Sequence, residues 1–161
     1  MTAKYTVMDS QVLATSAASV TFSSIPGGYK DLVLVFELKA TGSSNVAALL
    51  KINSDTGSNY SYVDARGNGS TTFSGSGTLT FGIIQNASSA TSTTPANVII
   101  QFMDFGATDK HKSWLSRGSG SSVEMIAGRW ASTSAITSLT LDKSGTADFP
   151  AGSTFRLLGV N

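Results

Sequence analysis

Short runs in which apolar and polar residues alternate recur along the chain, and they predict strands rather than helices. The strongest is Asp31 to Ala40, DLVLVFELKA. Leu32, Leu34, Phe36 and Leu38 share one face, and Val33 and Val35 the other, before Glu37 and Lys39 take it over. Successive side chains of a strand point to opposite faces. This run is therefore apolar on both faces early and on one face late, which suits a central strand of a packed sheet. Pro95 to Phe105 repeats the pattern, with Val98, Ile100 and Phe102 against Ile99, Gln101 and Met103. Ser19 to Ile25 alternates Val20 and Phe22 with Thr21 and Ser23, and Val46 to Asn53 reads as the hairpin partner of the 31–40 strand across Thr41 to Asn45. Weaker runs cover Tyr5 to Val12, Tyr60 to Ala65, Thr78 to Asn86 (with Leu79, Phe81 and Ile83 on one face), His111 to Arg117 and Thr154 to Val160.

The stretch Val123 to Leu141, VEMIAGRWASTSAITSLTL, reads as two strands joined by a small-residue turn at Ala131 to Ala135. Val123, Met125 and Ala127 make the first strand's apolar face, and Leu139 and Leu141 the second's. Trp130 is expected to anchor the core with its indole N–H on a backbone carbonyl; a surface sugar or protein contact is the other reading. Pro26-Gly27-Gly28 breaks the chain, since proline lacks a donor and glycine admits positive φ. Ser54 to Asn59 is a turn. Arg66 to Gly77 and Ala87 to Thr94 read as exposed polar loops.

Nine or ten short strands with no long amphipathic helix predict an all-β fold, an antiparallel β-sandwich with jelly-roll-like topology, in a single domain over residues 1–161. Residues 1–18 are either an N-terminal arm that exchanges between neighbours or the first strand of the chain's own sheet.

Composition narrows the function. Charged residues are 13% of the chain, about half the ordinary share. The net charge is +1 and the basic residues are scattered, so the cluster that neutralises phosphates in a nucleic-acid site is missing. No apolar run reaches the ~20 residues of a membrane-spanning helix, so neither nucleic acid nor membrane is an expected partner. The opening MTAKYTVMDSQ has no apolar signal core, and with no cysteine there are no disulfides or thiolate metal sites. Synthesis in a cytoplasm is the expectation.

Catalytic chemistry finds little purchase. His111 is the one histidine, lies in DKHKS between two lysines, and is expected to be solvated. No nucleophile elbow or phosphate-binding loop is present. Asp55, Asp64, Asp104, Asp109, Glu124 and Asp142 fall in no local motif and are expected to be solvated or salt-bridged at the surface. The turn Asn53 to Asn59 offers oxygen ligands for Ca²⁺ but lacks the EF-hand order; a turn held by its own Asn and Asp side chains is the simpler reading. Tyr60, Tyr62 and Phe73 sit beside the predicted loops and are the candidates for stacking on a sugar or partner, against core filling. No catalytic residue, cofactor or resident metal is expected.

Four segments carry a resemblance: VLATSAASVTFSSIPGGYKDLVLV at 12–35, INSDTGSNYSY at 52–62, AGRWASTSAITSLTL at 127–141 and AGSTFRLLGV at 151–160. In this order and spacing the chain resembles small virion proteins of tailed bacteriophages, of the cyanophage and marine-phage type. The resemblance implies a β-sandwich, usually homotrimeric, acting as a capsid decoration (cement) protein on the major capsid protein, or as a tail-associated protein, and located in the virion. It brings no catalytic residues. The alternative within it is a tail, baseplate or fibre-tip subunit that binds a host surface glycan.

Overall fold

The computed structural model describes residues 4–41, 45–85 and 90–161. Among them are twelve strands, all paired antiparallel, in two sheets. In chain order they are β1 (Tyr5–Val12), β2 (Ser19–Phe22), β3 (Asp31–Leu38), β4 (Ala47–Ile52), β5 (Tyr60–Gly67), β6 (Thr72–Leu79), β7 (Gly82–Ile83), β8 (Ala96–Met103), β9 (Lys112–Ser119), β10 (Val123–Trp130), β11 (Leu139–Ser144) and β12 (Thr154–Val160). The larger sheet has the order β1-β12-β3-β8-β9-β10-β5-β6 and the smaller β2-β11-β4-β7.

The topology is a jelly roll with two added hairpins. Four pairs nest in sequence: β1 with β12, β2 with β11, β3 with β8 and β4 with β7. This wrapping of a long hairpin into two facing sheets is the jelly-roll pattern. The remaining strands, the β5–β6 pair and the β9–β10 pair, attach beyond β8 and double the width of one sheet.

Alternation decides which side chains fill the space between the sheets. Leu32, Leu34, Phe36 and Leu38 of β3, and Val98, Ile100 and Phe102 of β8, face inward and are buried. From the smaller sheet Val20, Phe22, Ala48, Leu50, Ile52, Leu139 and Leu141 meet them. Each large side chain buried this way contributes about 1.5–3 kcal/mol. Phe155 stacks on Phe36 at 5.8 Å and tilts against Phe149 at 5.6 Å. Under the extension, Trp114 is tilted against Phe102 and Tyr60, at 6.4 and 6.5 Å, and donates its indole N–H to the Ile83 carbonyl at 3.2 Å. Its ring lies flat on the backbone of Gly128, where a Cβ would sit 2.6 Å from Nε1.

Several expectations are corrected. There are twelve strands among the described residues, not nine or ten. Of the two readings of the N-terminal segment, residues 5–12 take the expected strand, paired with β12 in the chain's own sheet. The 46–53 segment is no hairpin partner of β3: β4 lies in the other sheet, on β11 and β7; residues 42–44 of the expected connection lie outside the described ones. Likewise β10 and β11 do not form a hairpin, because residues 131–138 carry the chain from one sheet to the other. The expected 66–77 loop is mostly strand, a β5–β6 hairpin whose Asn68 side chain accepts from the Ser70 and Thr71 amides. The expected 78–86 strand splits, Leu79 ending β6 in one sheet and Gly82–Ile83 joining the other; residue 86 of that strand and residues 87–89 of the second predicted loop lie outside the described ones.

Candidate functional site

The face of β10 is the reverse of the expected one. Glu124, Ile126, Gly128 and Trp130 point inward, while Val123, Met125 and Ala127 point to solvent. Apolar side chains also reach solvent from other strands of the larger sheet. Of the nine large hydrophobic residues exposed among the described ones, Tyr5, Val7, Val12, Val63, Met103, Leu115, Val123 and Met125 all lie on its outer face, 39–66% exposed. Phe73 is the ninth.

Register turns these scattered positions into rows. One row runs Val7, Leu158, Val33, Gln101, Leu115, Ala127, Val63. The next runs Val35, Ile99, Arg117, Met125, Ala65. The solvent face of an antiparallel sheet is ordinarily polar, and a contiguous apolar patch on a soluble protein marks an interaction site. Arg117, Arg129 and Arg156 share this face, and none of them makes an ion pair among the described residues. A hollow of about 240 Å³ opens over Val33, Ile99 and Leu158, rimmed by Tyr5, Gln101 and Arg117. The face can thus hold an apolar surface and offer unpaired guanidinium groups to carboxylates around it.

The residues singled out in the sequence lie elsewhere. Tyr60 is 1% exposed, so it is a core residue and no contact for a glycan or partner. Its hydroxyl accepts from the Ile52 amide at 3.0 Å and donates to the Asp55 carbonyl at 3.1 Å. Burial pushes this phenol up to about 12, against the lowering effect of the Ile52 bond. Tyr62 is half-buried, its ring over Gly77 of the neighbouring strand. Phe73 is exposed but faces the other way from the apolar rows, opposite Arg66, whose guanidinium sits 5.4 Å over its ring. The three aromatics do not form one platform.

Two carboxylates expected at the surface are inside. Asp64 and Glu124 lie on the inner face of the extension, both buried. Asp64 pairs with Arg66 at 3.4 Å, its carboxylate resting over Gly75. Asp104 and Asp142 are salt-bridged at the surface, to Lys110 at 2.9 Å and Lys51 at 2.7 Å. His111 is exposed. No group of three or more His, Cys, Asp or Glu that could hold a metal occurs among the described residues.

The Asn53 to Asn59 turn is held by its own side chains. Asp55 Oδ2 accepts from Trp130 Nε1 at 2.6 Å and from Asn59 Nδ2 at 2.8 Å, and Oδ1 accepts from the Gly57 amide at 2.8 Å. Burial pushes the Asp55 carboxyl up, but these three bonds outweigh it and hold it below its ordinary value. Asn53, at positive φ, accepts from the Thr137 and Ser138 amides and donates to the Ala135 carbonyl. The side-chain oxygens of Asn53 and Asp55, which a calcium ion would draw on, already accept hydrogen bonds. Trp130 is a core anchor at 3% exposure, with a carboxylate rather than a backbone carbonyl as its acceptor.

No family model matches the chain, and no curated protein matches it. Among solved structures, it is similar to a double mutant of the alginate lyase Aly36B in complex with alginate trisaccharide, with 12% identity and a TM-score of 0.40 over 94% of this chain and 78% of that one. It is also similar to the CBM40 of Ruminococcus gnavus IT-sialidase bound to α2,3-sialyllactose, with 12% identity and a TM-score of 0.36 over 96% of this chain and 92% of that one. At these scores the likeness says nothing of what this chain binds or does.

Proposed function

We propose that this is a non-enzymatic virion protein of a tailed phage, a decoration protein that coats the outer surface of the capsid and ties neighbouring shell subunits together. In this reading it adheres by the outer face of the larger sheet. The observation that supports it is the gathering of eight exposed hydrophobic residues on that one face. The partner surface is then apolar at its centre, with carboxylates placed to meet Arg117, Arg129 and Arg156. The four-segment resemblance supplies the virion context. On a symmetric shell, many modest contacts of this kind add up through effective concentration.

The copy number of the polypeptide in purified virions, measured by quantitative mass spectrometry against the major shell protein, tests the proposal. A ratio near that of the shell protein supports decoration. A few copies per particle would move the protein to the tail, and absence from virions would overturn the reading.

A second reading rests on the hollow at Tyr5, Gln101 and Arg117. An apolar floor under a few convergent polar groups is the make-up of a small-ligand site, and it suits a host glycan contacted by a tail subunit. Saturable glycan binding lost on Arg117→Ala but kept on Tyr62→Ala would favour it.

A further inference from the structure

Sheet edges leave rows of unpaired backbone N–H and C=O groups, and proteins blunt them with charge, bulges, proline or short length. Three of the four edges here are blunted. β1 carries a register shift between Val7 and Asp9, and the Asp9 carboxylate accepts the Ser10 amide at 2.7 Å. β2 has four residues, and Gln11 donates to its Thr21 carbonyl at 3.0 Å. β7 has two residues. The fourth edge, β6, has eight residues, TFSGSGTL, with no charge, no proline and no break in its register on β5.

We infer that β6 is a self-association edge, which pairs antiparallel with β6 of a second copy about a two-fold axis. The inference stands on the edge itself and goes beyond the virion reading. In such a pair every residue meets its own strand's residues. A charged edge would repel itself, as Asp9 would on β1, whereas β6 has nothing to repel.

The sequence of β6 also selects a register. Opposite residues must share a face. Phe73, Gly75, Gly77 and Leu79 are on the inner side, opposite Arg66, Asp64, Tyr62 and Tyr60. Centring the axis on Ser76 sets Phe73 against Leu79 of the partner copy, twice by symmetry, and Ser74 against Thr78. It also sets Gly75 against Gly77, so no bulk is opposed there. Phe73, the one exposed large hydrophobic residue off the outer face among the described residues, would thereby find a cover. The alternative register centred on Gly75 sets Phe73 against Gly77 and loses that pair. A two-fold axis normal to the sheet leaves both apolar outer faces on the same side, so the dimer doubles the adhesive surface.

The chain has no cysteine, so single-cysteine variants report the register directly. Opposite positions in an antiparallel pair lie within disulfide reach. Oxidised Ser76→Cys is expected to give a covalent dimer quickly, and Ser74→Cys to do so only when mixed with Thr78→Cys. Ser74→Lys/Ser76→Lys, with an unchanged circular dichroism spectrum, is expected to sediment as a monomer where the wild type sediments as a dimer. Three outcomes would overturn the inference. One is a wild type that stays monomeric over the whole concentration series. Another is a trimer in which Cys at 76 stays reduced. The third is a Ser76→Cys variant that cross-links no faster than the exposed-loop variant Thr108→Cys.

Discussion

Gly128→Ala is the substitution whose sign the structure decides most sharply. In a strand, replacing glycine with alanine ordinarily stabilises by about 0.4–1 kcal/mol, because the unfolded chain loses freedom. At position 128 the new Cβ would overlap Cε2 and Cζ2 of Trp114 and lie 2.6 Å from its Nε1. The indole would have to leave its seat between Gly128 and Gly82. Overpacking of this kind costs about 1–3 kcal/mol. Breaking the Trp114 bond to the Ile83 carbonyl leaves buried polar groups unpaired, at about 1–3 kcal/mol more. The net expectation is a loss of about 3–4 kcal/mol, a large share of a typical domain's stability. Chemical denaturation followed by tryptophan fluorescence reads both the loss and the displaced ring. A double-mutant cycle with Trp114→Leu should show the two changes coupled by about 2 kcal/mol, since the smaller side chain leaves room for the methyl group. A Gly128→Ala protein as stable as the wild type, or a cycle additive within about 0.5 kcal/mol, would refute the ring-on-backbone packing.

Other tests bear on the turn, the core tyrosine and the outer face. Asp55→Asn should cost about 2 kcal/mol at neutral pH, from the weakening of charge-assisted bonds. Because the folded carboxyl lies below 3.8, that contribution is full above this pH and fades as pH falls through the folded value; a thermal-melt difference that grows on acidification would contradict it. Adding Ca²⁺ or a chelator should leave the wild-type melting temperature unchanged, since both Asp55 oxygens already accept from the turn and from Trp130. Tyr60 should ionise late, near pH 12 in a 295 nm titration. Its stabilising effect is full below pH 10 and is lost between there and 12, and the Tyr60→Phe protein should lack this late step. Met125→Glu, at an exposed position, should change stability by no more than about 0.5 kcal/mol, as read by denaturant titration.

How much of this was legible in the sequence depended on where the deciding contact lay. The inward set of β3 could be read because Leu32 to Leu38 is apolar while Glu37 and Lys39 mark the other side. On β10 both sets carry apolar residues, and a glutamate and a glycine stand in the inward one. Glu124 is buried and Gly128 is the seat of Trp114, so hydrophobicity alone pointed to the wrong face. The 66–77 half of the β5–β6 hairpin reads as a loop because β6 has almost no bulk; Gly75 and Gly77 are small so that Asp64 and Tyr62 can lie over them. Tyr60 starts a strand beside a turn, and only the pairing of β5 with β10 and of β10 with β9 shows that its ring faces inward, against Trp114. The outer face could not be read at all, because Val7, Val33, Leu115 and Val63 become neighbours only through the register of strands distant in the chain. The same holds for the assignment of β4 and β11 to the smaller sheet, which local alternation does not encode.

The most direct test of adhesion by the outer face is co-sedimentation of purified protein with shells lacking it, comparing the wild type with Met125→Glu and Leu115→Glu. Both variants should stay folded and fail to pellet with the shells, while Thr108→Ser, at an exposed loop position, should pellet at the wild-type level. Full shell binding by both outer-face variants would contradict the account.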